Sequence, residues 1–153
     1  MDDSDREEVV LRPCHGPQQW PDLVRIWRGA VEATHHFLAP EDIDYYEYRV
    51  ANEYLGAVEL TIALTGDIPV GFSGVAEGKL EMLFVDPAHH GRGAGTALLG
   101  KALAENPALL VDVNEQNPQA LGFYVHHGFA VLDRSATDAD GRPFPILHLG
   151  RRS

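Results

Sequence analysis

Two periodicities share this chain. From Pro17 to about Thr34 the apolar residues Trp20, Leu23, Val24, Trp27 and Val31 recur at helical spacing, which predicts a helix with one buried face. A second helix is predicted from Glu41 to about Leu55, just after Pro40. Between them lies His35-His36-Phe37-Leu38, a connection rich in groups able to face a ligand. Ahead of both, Val9 to Leu11 reads as a short strand ended by Pro13 and Gly16. Val58 to Thr65 and Pro69 to Val75 read as strands joined by a tight turn at Gly66-Asp67. Leu80 to Val85 is a third strand, stopped by Asp86-Pro87 because proline has no amide hydrogen for a ladder. Ala94, Leu98, Leu99, Ala102 and Leu103 then form a helical stripe, and Leu109 to Val113 a further buried strand. Asn117-Pro118 pairs an N-cap residue with a first-turn proline, opening a helix through Leu121, Tyr124 and Val125 to a terminal Gly128. Phe129 to Leu132 and Ile146 to Leu149 are the closing strands, separated by the turn-forming Asp138-Ala139-Asp140-Gly141. The predicted order is β-α-α-β-β-β-α-β-α-β-β, an α/β (α+β) arrangement of a central sheet with helices packed on it.

Composition narrows the function classes. A chain of 153 residues with 44% apolar content, no repeat and no linker is read as one domain over residues 1–153. The single cysteine, Cys14, cannot form an internal disulfide, and no run approaches the roughly 18 apolar residues of a membrane span. Met1 to Glu8 carries five acidic groups where a secretory leader would be basic and then apolar, so a cytoplasmic location with no membrane partner is expected. Twelve basic against 23 acidic residues give a formal charge of −11, which argues against nucleic acid and mildly favours cationic partners. The histidines His35-His36, His89-His90 and His126-His127 are adjacent pairs rather than an i, i+4 set, and no metal site is expected.

Gly91-Arg92-Gly93-Ala94-Gly95-Thr96 sits between a predicted strand and helix, where free amide hydrogens and the helix dipole favour a phosphate, although by itself it also reads as a tight turn with no ligand. A dinucleotide fingerprint is excluded because Leu98 stands where the third glycine is required. Gly95 to Lys101 spells out a triphosphate loop, but Ala102 replaces the magnesium-holding hydroxyl and the segment lies inside the amphipathic helix.

The wider pattern Leu83-Phe84-Val85-Asp86-Pro87-x-x-x-Gly91-x-Gly93-x-Gly95-x-x-Leu98-Leu99 resembles the acyl-CoA-binding motif of the Gcn5-related N-acetyltransferase (GNAT) superfamily. Asn114 to Tyr124, followed by Gly128-Phe129, is similar to the helix that follows in that family. Asn114–Tyr124 and the loop Gly141-Arg142-Pro143-Phe144-Pro145 resemble a bacterial subgroup of peptidyl-lysine N-acetyltransferases. The resemblance implies a mostly antiparallel sheet of about seven strands with about four helices, splayed between the strands at 80–85 and 109–113. It also implies acetyl-CoA as co-substrate, with no metal. The amides of Gly91, Arg92, Gly93, Ala94, Gly95 and Thr96 would hold the pyrophosphate, and the backbone of Leu83, Phe84 and Val85 the pantetheine arm. The Val85 amide would donate to the thioester oxygen, Asn117 would touch the pantetheine or fix its helix start, and Tyr124 would reach the sulfur. His90 departs from the family, which usually has Arg or Gln there, so a charged phosphate contact would be either missing or supplied by Arg92.

Two residues carry the expected chemistry. Tyr124 would protonate the departing thiolate in a direct transfer, although an aromatic three residues after Leu121 also reads as core. Glu81 is polar inside an apolar strand, on the opposite face from Met82 by alternation, and reads either as a general base or as a solvated carboxylate. His35, His36 and Phe37 border the acceptor site by analogy and are the expected substrate contacts. Cys14, far from the motifs, is a poor nucleophile. The acceptor is an amine, either a protein lysine or a small molecule, and the protein is expected to act as a monomer or homodimer. A noncatalytic acyl-CoA-binding module is the rival reading; it would keep the glycine turn but have no need of Tyr124.

Overall fold

The computed structural model describes residues 8–151; the rest of the acidic Met1–Glu8 segment lies outside the described residues. Seven strands form one sheet: β1 (Val9–Pro13), β2 (Glu59–Thr65), β3 (Ile68–Ala76), β4 (Lys79–Val85), β5 (Leu110–Asn114), β6 (Phe129–Ser135) and β7 (Ile146–Arg151). Their spatial order is β1-β2-β3-β4-β5-β7-β6, antiparallel throughout except for the β4–β5 pair. The helices are α1 (Trp20–Thr34), α2 (Pro40–Arg49), α3 (Ala94–Glu105) and α4 (Pro118–His126). The element order is the predicted one, and Thr65 pairs with Ile68 across the expected Gly66-Asp67 turn.

Helices α1 and α3 bury most of the expected stripe, whereas in α4 Tyr124 is buried and Val125 is exposed. Leu23, Ile26, Trp27 and Val31 of α1, with Ile43 of α2, cover Leu60, Ile62, Phe72 and Met82 on one face of the sheet. On the opposite face, Ala94 and Leu98 of α3 meet Ala63 and Val70, while Leu99, Ala102 and Tyr124 close over β5, β6 and β7.

The second helix differs from expectation. It is α-helical only to Arg49, then continues as a π-helical turn over Val50–Tyr54 and a short 3-10 turn over Leu55–Ala57. Val50 and Leu55 are both buried in the α1 cluster. Five residues apart, they would face different sides of an α-helix, and the wider turn, closed by the Leu55 amide on the Val50 carbonyl, brings both inward. Strand β6 runs three residues beyond its predicted end at Leu132, to Ser135. Its polar tail is held by Arg134, which donates two hydrogen bonds to Glu115 at 2.6 and 3.0 Å, and by Ser135 against His148 at 2.6 Å.

Phe72 is fully buried and lies 5.7 Å from Phe84 between ring centroids. Truncation to alanine leaves a cavity that rigid neighbours on β2, β4 and α1 cannot fill, so Phe72→Ala is expected to lower unfolding free energy by about 3–5 kcal/mol. Urea unfolding with an unchanged m-value is the check; a loss under about 1 kcal/mol would show that this cluster is not the keystone of the N-terminal half.

Candidate active site

A gap in the sheet organises the site. The parallel β4–β5 ladder consists of Lys79 opposite Leu110 and Leu80 opposite Val111, after which the two strands diverge. The divergence starts at a bulge: Val75 pairs with Leu80 and Gly74 with Met82, leaving Glu81 without a partner on β3. This corrects the expectation that Glu81 and Met82 face opposite sides, because the extra residue interrupts alternation. Leu80 packs under α3 and α4 with Val111 and Val113, and Met82 packs under α1. Asp112, between those two valines, faces away from Leu80, and Lys79 pairs with it while lying 3.8 Å from Glu81, which puts Glu81 on the Met82 side. Beyond the bulge, Leu83, Phe84 and Val85 pair with Ser73, Phe72 and Gly71 on one edge only. Because the Asp86 amide donates to the Val70 carbonyl at 2.8 Å, alternation of backbone groups turns the Val85 and Leu83 amides the other way, into the gap.

On the α3–α4 side the gap opens into a cavity of about 400 Å³. Leu83, Phe84, Val85, His90, Gly91, Gly93, Ala94, Gly95, Thr96, Asn117 and Tyr124 all line it. Arg92 is exposed and does not. Gly91 and Gly93 hold φ of 76° and 92°, a left-handed conformation that other residues adopt only under strain. Gly93 is the N-cap of α3, so the first-turn amides of Ala94, Gly95 and Thr96 are left free of intrahelical partners. This cavity therefore supplies free amides and a helix dipole at one end and unpaired strand amides at the other. Both ends fit a phosphorylated thioester with an amide-bearing arm. His89 and Phe123, which the motif reading passed over, also line it.

A second cavity of about 440 Å³ lies on the α1–α2 side and meets the first at the gap, the two sharing His35, Leu83, Phe84, Asn117, Ala120 and Tyr124. Phe37 and Glu81 line the second cavity alone, whereas His36 is exposed and lines neither. Tyr124 is 6% exposed, and burial pushes its phenol well above the usual range, so it stays protonated. Its hydroxyl has no hydrogen-bond partner among the described residues. Asn117 caps α4, accepting from the Ala120 amide at 3.2 Å. His35 is 9% exposed, and its pKa falls to about 4 through burial, with a smaller contribution from His36. Cys14 lies at the end of β1 and lines neither cavity.

The roof of the second cavity was not legible in the sequence. The β6–β7 loop lays Asp138, Ala139, Asp140 and Phe144 over it, facing Tyr46 and Tyr54 from α2 and its extension. Asp140 accepts from Tyr54 at 2.5 Å and from Arg49 at 3.0 Å, and Tyr46 donates to Asp138. Arg142 stacks over Tyr45 at 4.3 Å and pairs with Asp42. Burial and Asp140 together push the Tyr54 phenol up to about 12. Spacing alone could not reveal contacts that join residues roughly ninety positions apart. The one available signal was the Gly141–Pro145 loop, noticed above as a subgroup feature without a role.

The geometry defines a class, and the comparisons agree with it. Residues 29–145 match the acetyltransferase (GNAT) domain family, and the chain belongs to that family of N-acetyltransferases, which take the acetyl group from acetyl-CoA. Within it, the chain is 41% identical over 128 residues to the peptidyl-lysine N-acetyltransferase YjaB of Salmonella typhimurium, covering 83% of this chain and 88% of that protein. It is also 41% identical over 133 residues to YjaB of Escherichia coli K12, covering 86% and 90%. The solution structure of apo-form YjaB from Escherichia coli superposes with a TM-score of 0.86 at 38% identity, covering 94% of this chain and 97% of that one. Among the described residues no helix is long and apolar enough to cross a membrane, and no cluster of three or more His, Cys, Asp or Glu is placed to hold a metal ion.

Two measurements test this site. Gly93→Asp puts bulk, strain and negative charge at the α3 N-cap, so calorimetric titration should show acetyl-CoA binding lost in a protein that still folds. An unchanged dissociation constant would remove the turn from the site. His35 titrates below its ordinary value of 6.5, so its neutral form stabilises the fold above about pH 6.5, and that stability is lost as pH falls toward 4. From pH 7.5 to pH 5 the parent should lose about 2 kcal/mol more than His35→Phe in urea unfolding, and equal losses would place the ring in contact with water.

Proposed function

We propose that this enzyme transfers the acetyl group of acetyl-CoA directly to the side-chain amine of a protein lysine. One observation carries the reading: two cavities of similar size, one reaching the N-terminus of α3 and the other lined by α1, α2 and the β6–β7 loop, meet beside β4, where Tyr124 lines both. Donor and acceptor would reach the same point without an acyl-enzyme stage, and no cysteine stands there. The acceptor cavity mixes aromatic walls, Trp27, Phe37, Tyr46, Tyr54 and Phe144, with the carboxylates Glu81, Asp112, Asp138 and Asp140. That mixture suits an aliphatic stem ending in an ammonium group. The two similar proteins named peptidyl-lysine N-acetyltransferases favour lysine over a small amine.

In this reading the cofactor contacts are Leu83, Phe84, Val85, His90, the Gly91–Thr96 turn and Asn117. Glu81, half-exposed at the acceptor side and 3.8 Å from Lys79, collects the proton the incoming ammonium must shed. The neutral amine attacks the thioester carbonyl, the nitrogen–carbon bond forms, and the Val85 amide stabilises the oxyanion. As the carbon–sulfur bond breaks, Tyr124 donates its proton to the thiolate. Burial weakens the phenol as an acid, but the same desolvation raises the basicity of a thiolate left in the gap, so the transfer stays matched.

Tyr124→Phe should keep the fold and acetyl-CoA affinity while turnover on lysine peptides falls by roughly 10²–10⁴, the scale for losing a positioned general acid. Steady-state kinetics with peptide products read by mass spectrometry decide it. Parent turnover in the variant would sink Tyr124 as the acid, and acetylation of small amines in preference to peptides would sink the lysine assignment.

A further inference from the structure

The His35 ring sits where the two cavities meet, and its surroundings settle which nitrogen carries the proton. The Thr34 hydroxyl lies 2.8 Å from the Ala30 carbonyl, an acceptor only, so its single hydrogen goes there. The same oxygen is 2.7 Å from His35 Nδ1, and having spent its hydrogen it can only accept. With the Thr34 hydrogen on Ala30, the contact to Thr34 is a hydrogen bond only if His35 donates from Nδ1, and that tautomer leaves Nε2 a bare lone pair. Nε2 makes no hydrogen bond among the described residues. Nor is it sealed off, since the one fully buried side-chain nitrogen or oxygen lacking a partner there is His89 Nδ1. His35 is 9% exposed and lines both cavities. Phe37, 5.2 Å away between centroids, limits its rotation.

We propose that Thr34 locks His35 in the Nδ1–H tautomer so that Nε2 accepts an N–H of the acceptor amine at the junction of the two cavities. The inference rests on the acetyl-transfer reading above and adds to it the group that aims the nucleophile. A neutral amine has a lone pair and N–H donors; engaging one N–H at Nε2 turns the lone pair toward the thioester. Once the nitrogen–carbon bond has formed, the nitrogen is positively charged and its proton strongly acidic. That proton passes to Nε2 while the carbon–sulfur bond breaks and Tyr124 protonates the thiolate. The depressed basicity of His35 suits this role: it remains unprotonated at neutral pH and is asked to take a proton only after attack. Thr34 is then a positioning residue and His35 a catalytic one.

Three variants and a spectroscopic readout test the pairing. Thr34→Val keeps the shape and removes the hydroxyl, Thr34→Ser restores it, and His35→Phe keeps a ring without nitrogen. Thr34→Val is expected to lose roughly 10- to 100-fold in kcat, with the acetyl-CoA KM unchanged, and Thr34→Ser to return close to the parent. His35→Phe should lose at least as much as Thr34→Val. Nitrogen-15 spectra of the ligand-free protein should show Nδ1–H with bare Nε2 in the parent and Thr34→Ser, and a mixture in Thr34→Val. A purely structural Thr34 would lower Tm in Thr34→Val without moving kcat well below melting or changing the tautomer; that result, or Nε2–H in the parent, overturns the inference. Turnover by the parent with parent-like kcat in His35→Phe would overturn it while leaving acetyl transfer standing. A parent inactive on every amine but with the expected tautomer would instead overturn the transfer reading, and His35's role with it.

Discussion

A backbone edge in the middle of a sheet cannot be left without partners, yet this fold leaves one bare between β4 and β5. The bulge at Glu81 bends β4 away after two paired residues, and everything functional is arranged around the opening. Amide groups of Leu83 and Val85 turn into it because the neighbouring Asp86 amide is already committed to Val70. Left to water, such a slot is polar and wet; filled by an extended amide-bearing arm, it becomes one more strand. The same divergence is where the two cavities meet, sharing His35, Leu83, Phe84, Asn117, Ala120 and Tyr124.

The helices answer to that gap. Asn117 caps α4 and places Tyr124 over it, while Gly93 starts α3 with its free amides toward the same cavity. On the other face α1 ends at Thr34, and the first residue beyond it, His35, enters the junction. Burial acts on these two rings in opposite senses: it keeps the Tyr124 phenol protonated and the His35 imidazole neutral. A phenol and an imidazole, both uncharged at neutral pH, thus line one space.

Acidity, spread over the whole chain, is put to local use around the second cavity. Asp138 and Asp140 are held by Tyr46, Tyr54 and Arg49, and Asp112 by Lys79 at 2.5 Å and His148 at 2.7 Å. These carboxylates serve first as girders, tying the β6–β7 loop to α2 and bridging strands across the open half of the sheet. Glu81, exposed and only 3.8 Å from its nearest cation, is the carboxylate least tied down.

Local patterns in the sequence were enough to order the seven strands and four α-helices of the described residues and to mark the glycine turn before α3, while the family resemblance singled out Tyr124 and Asn117. Each of those features is written within a few residues: a hydrophobic period, a capping pair, glycines that must adopt positive φ. Only the tertiary structure decided which side Glu81 faces, because a bulge is a property of two paired strands and alternation along one strand cannot register it. It also decided that His35 enters the junction while His36 stays outside, since adjacent side chains diverge and only packing chooses between them. The loop that roofs the acceptor cavity depends on contacts such as Arg142 with Asp42 and Tyr54 with Asp140, which no local period encodes. Pairings of that range arise when the sheet brings its two halves together, so the cavity at the glycine turn was readable from motifs and the cavity under the β6–β7 loop had to await the fold.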